Sequence, residues 1–148
     1  MKTPGLLRAF AIPADVSALA RARREMAAAL AAIGWDEQEA GRVLLAGSEA
    51  VSNAIEHGSP EAGSVEIALE ATGDQLVVRV RDHGRPGSAT PVACDAEPPS
   101  THIRGRGLLI MERLADSEAF TACDPAGTEV VLAFTPVSAM LTAPRQAA

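Results

Sequence analysis

The chain contains no tyrosine, and its aromatic side chains are three phenylalanines and one tryptophan in 148 residues. It also lacks a basic surplus: 13 lysines and arginines stand against 19 acids, for a formal charge of −6. A surface that tracks a polynucleotide wants a basic patch with stacking rings, so direct nucleic-acid binding is set aside. Cysteine is scarce. Cys94 and Cys123 are far apart, form no CxxC and cannot supply a structural zinc set, and such usage fits a reducing cytoplasm. No apolar run approaches the ~20 residues that span a bilayer. The N-terminus, MKTPGLLRAFAIPAD, is broken by prolines and has no signal-peptide layout. Membrane and secretory roles are therefore not expected.

What is present is an ordinary globular balance, 47% hydrophobic and 22% charged. The length fits one domain over 1–148, with a core at about 6–136 and a loose tail over 137–148. Residues 6–12 read as a strand ended by Pro13, and Asp15 as a helix cap. Val16, Leu19, Arg23, Met26, Leu30 and Ile33 then step at helical spacing up to Gly34, with Arg21 and Arg24 on another face. A second helix opens at Asp36, has Glu39 as a capping-box acid and runs to about His57. Strands are expected over 65–69 and 76–81, joined at Gly73-Asp74, and over 118–123 and 128–134. Between them, residues 84–104 are rich in Pro, Gly, Ser and Thr and read as a lid or binding loop. Helix resumes at Gly107 and ends near Ala115. The order β-α-α-β-β-loop-α-β-β predicts an α+β fold: a two-layer α/β sandwich with a mixed, mostly antiparallel sheet and helices on one face. GxxxxGK[ST] is absent, and the glycine-rich segments do not sit in a βαβ unit, so P-loop and Rossmann readings fail.

Four short segments carry chemistry. On the second helix Glu49, Asn53 and His57 recur every four residues and form one polar stripe. A carboxylate one turn from a carboxamide suits magnesium-dependent phosphoryl transfer: the amide oxygen can face Mg²⁺ and the carboxylate can accept a proton from an attacking hydroxyl. Asp82-His83-Gly84 ends a strand, where an ionised acceptor can read an exocyclic amine such as that of adenine. Gly105-Arg106-Gly107 enters a helix beside Arg104, and glycines at a helix start let free N–H groups approach phosphate. Gly127-Thr128 enters the last strand. Taken singly, each segment also fits a solvated helix face, a turn or a helix entry.

In this order, SEAVSNAIEHG, RDHGRP, RGRGLLIMERLAD and GTEVVLAF resemble the N, G1, G2 and G3 boxes of the Bergerat-fold ATPases. Within that class the chain is most similar to the anti-sigma-factor serine-protein kinases, over residues 10–134. The resemblance implies the Bergerat ATP-binding fold with a long ATP lid. It implies that Glu49 is the general base and Asn53 the Mg²⁺ ligand within the nucleotide site, while Asp82 reads the adenine amine with support from Thr128. Gly84, Arg104, Gly105, Arg106, Gly107 and Leu108 would complete the ATP site. The resemblance further implies a cytoplasmic homodimer whose partners are a sigma factor and an anti-sigma-factor antagonist, with the first helix and its Arg21 and Arg24 near partner surfaces. One departure is that Pro86 stands where the family's first glycine box often has its second glycine, which stiffens the hinge.

The expected function is therefore an ATP- and Mg²⁺-dependent protein serine/threonine kinase acting as an anti-sigma factor. The alternative is a non-catalytic module that binds ATP or ADP and sequesters a protein partner. A histidine-kinase catalytic domain is disfavoured, since no dimerisation helix bearing a phosphoacceptor histidine is present: His57 and His83 lie in nucleotide boxes and His102 in the lid.

Overall fold

The computed structural model describes residues 5–58, 63–84, 103–122 and 127–136. Pro86, Cys94, His102 and the rest of the expected lid over 85–102, Cys123 with the turn over 123–126, and the tail beyond 136 lie outside the described residues.

The first strand, β1 (Gly5–Pro13), is followed by a 3-10 turn at Val16–Ala18, where Asp15 accepts the Ser17 N–H at 3.0 Å. Helix α1 (Leu19–Ala32) comes next. Its end follows from glycine chemistry. Gly34 takes φ +80°, its N–H donates to Ala31 O and the Trp35 N–H donates to Leu30 O, both at 3.1 Å. A residue with a Cβ is disfavoured at that left-handed position. The predicted stripe is only partly inward: Met26 and Leu30 are fully buried, whereas Val16 and Ile33 are exposed. Ala22 and Ala29 fill the inner face instead. Helix α2 (Glu37–Asn53) starts as expected, with Asp36 accepting the Glu39 N–H at 2.8 Å. It continues into a π-helical turn at Ala54–Gly58.

Strands β2 (Ser64–Thr72) and β3 (Gln75–Asp82) form a hairpin across Gly73-Asp74, with Gly73 at φ +62°. Helix α3 (Ile103–Leu114) precedes β4 (Ser117–Ala122) and β5 (Thr128–Phe134). It begins four residues before the expected Gly107, so the GRG tripeptide belongs to its first turns. The sheet order is β1-β2-β3-β5-β4, and every pair among the described strands is antiparallel.

Alternation along the strands explains the two layers. Val65, Ile67, Leu69, Leu76, Val78, Val80, Val130, Leu132 and Phe134 point to one face and are buried. There they form one apolar cluster with Met26, Leu30, Val43, Ala46, Ala50, Val51 and Met111 of the three helices. The opposite face carries Glu66, Glu70, Arg79, Arg81 and Glu129. On it Arg79 pairs with Glu70 at 2.6 Å and Glu129 at 3.4 Å. The expected two-layer α/β sandwich, with helices on one face, is what the chain forms.

One arginine ties the layers. Arg42 of α2 donates to Leu114 O at 3.1 Å and to Thr135 O at 2.8 Å, and lies 3.7 Å from Asp116. Its guanidinium carbon stands 5.7 Å from the Phe134 ring centroid. It thereby serves an orphan carbonyl at the end of α3 and another just past β5. Arg42→Ala should lower unfolding free energy by about 2 kcal/mol, the usual scale for hydrogen bonds to a charged group. Urea denaturation checks this, with Arg42→Lys expected to retain only part of the stability because lysine lacks the guanidinium fork.

Candidate functional site

Asp82 is the last residue of β3, on the helix-facing side of the sheet, and only 6% exposed. Its neighbours across the strands are Val65 of β2 and, where β5 begins, Thr128. The Thr128 N–H donates to Asp82 Oδ1 at 3.2 Å, and the Gly84 N–H also donates to the carboxylate. Burial pushes the Asp82 pKa above the usual aspartate value; the two N–H groups and His83 pull the other way without cancelling it. A buried acceptor with two oxygens and two backbone donors keeps capacity for a further donor.

Two glycines make this floor. Gly84 takes φ +59° as the chain leaves β3. Gly127 takes φ +101°, and a Cβ on it would stand 2.3 Å from Asp82 O and 2.9 Å from the His83 carbonyl carbon. Only glycine lets β5 start this close to the end of β3. In the sequence Gly127 reads as the entry to the last strand; its close approach to the end of β3 has no local signal.

Glu49 and Asn53 sit one turn apart on α2, both half-buried. Among the described residues no hydrogen bond or ion pair engages the Glu49 carboxylate or the Asn53 amide. Asn53 is the last α-helical residue before the π turn, whose first N–H, that of Ala54, is shared by Ala50 O and Val51 O. The backbone of His57 lies in this turn, and its side chain lies outside the described residues. Such π turns recur at functional sites. This one packs on β3, the strand that ends in Asp82, and α3 packs along α2.

The backbones of Arg104, Gly105, Arg106, Gly107 and Leu108 all run in the first turns of α3; their side chains lie outside the described residues. The first four N–H groups of a helix have no intrahelical partner, so residues 103–106 offer donors suited to an anion, whereas the Gly107 and Leu108 N–H groups lie past them and bond within the helix. Asp82 thus faces the helix layer, in which α2 with Glu49 and Asn53 packs against α3, on the side of the sheet opposite the Arg79 ladder.

A metal fits here in a limited way. Among the described residues no three His, Cys, Asp or Glu side chains gather to hold an ion. Asn53 supplies one amide oxygen. That donor set suits Mg²⁺, which keeps much of its water and takes further oxygens from substrate phosphates. A shallow cavity of about 430 Å³ lies elsewhere, on the open sheet face around Ala9, Ala68, Arg79 and Arg81, and is separate from Asp82.

Sequence reasoning missed three contacts: Arg42 at the α3 end, Met26 against Gly47, and Arg23 Nε donating to Ser48 Oγ at 2.9 Å. A small residue at helical spacing was the one available signal for Gly47. Nothing local marks the two arginines.

The description "histidine kinase-like ATPase domain" matches residues 12–134. A search of curated proteins returned no match. A solved structure of the RsbU and RsbW domains of Rv1364c from Mycobacterium tuberculosis is similar, with TM-score 0.63 and 24% identity. The match covers 86% of this chain and 32% of that one, so the chain spans about a third of its neighbour's length. At that identity the likeness is one of fold.

Two predictions follow from the β3–β5 junction. Gly127→Ala should destabilise the protein by more than about 1 kcal/mol, because both the positive φ and the clash with Asp82 oppose a side chain; thermal unfolding reads it. Asp82→Asn should melt higher than wild type at neutral pH without ligand. An acid whose folded pKa is raised loses stability as pH climbs through the ordinary aspartate range to the folded value. The variant's advantage should therefore shrink towards pH 4 and below, and an advantage that grows on acidification would contradict the assignment.

Proposed function

Because the chain belongs to the histidine kinase-like ATPase domain family, we propose that it binds ATP with Mg²⁺ and transfers the γ-phosphoryl group to a serine or threonine of a protein. The observation that carries the reading is Asp82: a buried carboxylate, held by the Thr128 and Gly84 N–H groups, with room for one more donor. An adenine exocyclic amine is such a donor, and it would offset the cost of keeping the carboxylate ionised there.

The remaining parts have matching roles. Free N–H groups at the start of α3, with Gly105 and Gly107 lacking side chains, would bind phosphate oxygens. Asn53 would hold Mg²⁺, which supplies neutralisation of phosphate charge when bound. Glu49, unengaged by other described side chains, would take the proton of the attacking hydroxyl. Arg104 and Arg106 would add positive charge near the phosphates, with Leu108 behind them. Phosphoryl transfer asks mainly for positioning and charge stabilisation, so this set suffices.

The partners proposed are a sigma factor, held inactive, and an anti-sigma-factor antagonist as the phosphoacceptor. Support comes from the wording of the N and G2 boxes and from a neighbouring fold titled an RsbW domain. A cytoplasmic homodimer acting on transcription through proteins, without direct DNA contact, fits the −6 charge. No helix among the described residues is long and apolar enough to cross a membrane. A second reading, a module that binds ATP or ADP and sequesters a partner without catalysis, is favoured by Pro86 in the first glycine box.

Two measurements test these readings. Mg-ATP or Mg-ADP at 100 times its dissociation constant should stabilise the wild type by about 2.7 kcal/mol, and Asp82→Asn should abolish most of that shift. No shift at millimolar nucleotide would remove both readings. Glu49→Gln should keep the shift while lowering phosphoryl transfer roughly 100-fold or more. Transfer that survives unchanged takes Glu49 out of the base role, and a wild type that binds nucleotide but transfers nothing leaves the sequestering module.

A further inference from the structure

Helices α1 and α2 touch at two residues immediately before Glu49. A Cβ on Gly47 would stand 3.0 Å from the Met26 sulfur, so a side chain there would push the methionine aside by a few tenths of an ångström. The next residue, Ser48, is 3% exposed, and its Oγ accepts the Arg23 Nε–H at 2.9 Å. A serine inside a helix commonly satisfies its hydroxyl within its own helix. Here the oxygen is held from the neighbouring helix, by a charged donor. Arg23 and Met26 lie one turn apart on α1, so together they brace two successive residues of α2. Glu49 comes next in the chain, half-buried, on the adjoining flank.

We propose that Arg23 is a positioning residue for Glu49, acting through Ser48 to fix the rotational setting of α2 at the base. The role rests on the phosphoryl-transfer reading above. In that step an oxygen of a hydroxyl, or of water, bonds to the γ-phosphorus. The bond to the β,γ-bridging oxygen breaks, ADP leaves with that electron pair, and the attacking oxygen's proton passes to Glu49. A base displaced by about 1 Å can lose up to about 100-fold in rate. Nucleotide affinity, in contrast, depends on Asp82 and the start of α3, which neither Arg23 nor Ser48 touches among the described residues. The donor is Nε, whose direction is set by the planar guanidinium, so lysine does not reproduce it.

The test is steady-state hydrolysis of Mg-ATP to ADP and phosphate by the full chain, with water as acceptor. Variants are Arg23→Gln, Arg23→Lys, Ser48→Ala and the Arg23→Gln/Ser48→Ala double, each also made in a Glu49→Gln background. Expected is a kcat about 10-fold lower in each single variant, with KM for ATP within about 2-fold of wild type. The double should be no slower than the worse single, and none should slow the Glu49→Gln protein further. A wild-type kcat in Arg23→Gln or Ser48→Ala, additive losses in the double, or a rise in KM in place of the fall in kcat would overturn the role. Ser48→Ala removes one oxygen only, so it decides the matter if the arginine variants fail to fold. A wild type that shows the nucleotide-dependent melting shift but hydrolyses nothing overturns the catalytic reading, and the Arg23 role with it. That failure is seen in the parent protein and is distinct from failure in the variants alone.

Discussion

The close approach of β5 to the end of β3 is the constraint on which the site depends. Gly127 lies where a Cβ would meet the Asp82 carbonyl oxygen, and the next residue, Thr128, gives its N–H to the Asp82 carboxylate. One contact therefore ties the ends of two neighbouring strands and directs a buried acid. Had the junction opened to admit a side chain, Asp82 would lose a backbone donor and gain access to water. Its ability to discriminate a single additional donor would weaken with both changes.

Helix α2 is the second organiser, because several demands fall on one stretch of chain. Arg42 in its first half holds the far end of α3 and the chain beyond β5. Gly47 and Ser48 in its middle accept α1. Glu49 and Asn53 follow, and the π turn then seats on β3. The helix is thus fixed at three levels along its axis while the stripe bearing Glu49 and Asn53 is left unengaged by other described side chains. Rigid support behind two polar groups that no described side chain engages is what a preorganised site requires.

Much of this was legible in the chain. Period-two strands, the Asp36 cap and the glycine at the end of α1 gave the elements to within a few residues, because each has a local physical cause. Asp82 and Thr128 were readable as a strand end and a strand start. What could not be read was that burial would leave the acid with a raised pKa, since that depends on Val65, Thr128 and Gly84 arriving together. The inner face of α1 differs from the expected stripe at Val16 and Ile33, because alanines can fill a closely packed face as well as larger chains; Ala22 and Ala29 are buried on it. The π turn was invisible because no residue type demands it. Arg42 and Arg23 were invisible for another reason: a long side chain can reach distant elements in many folds, and only the assembled one selects its partner.

The raised pKa of Asp82 has a bearing on how long the protein survives. At neutral pH the fold keeps an ionised carboxylate where burial disfavours it, which lowers its margin over the unfolded ensemble. A ligand donor on that carboxylate deepens the native basin and thins out the opened forms that proteases attack. Any donor that paired with the carboxylate would thereby lengthen the life of the folded molecule.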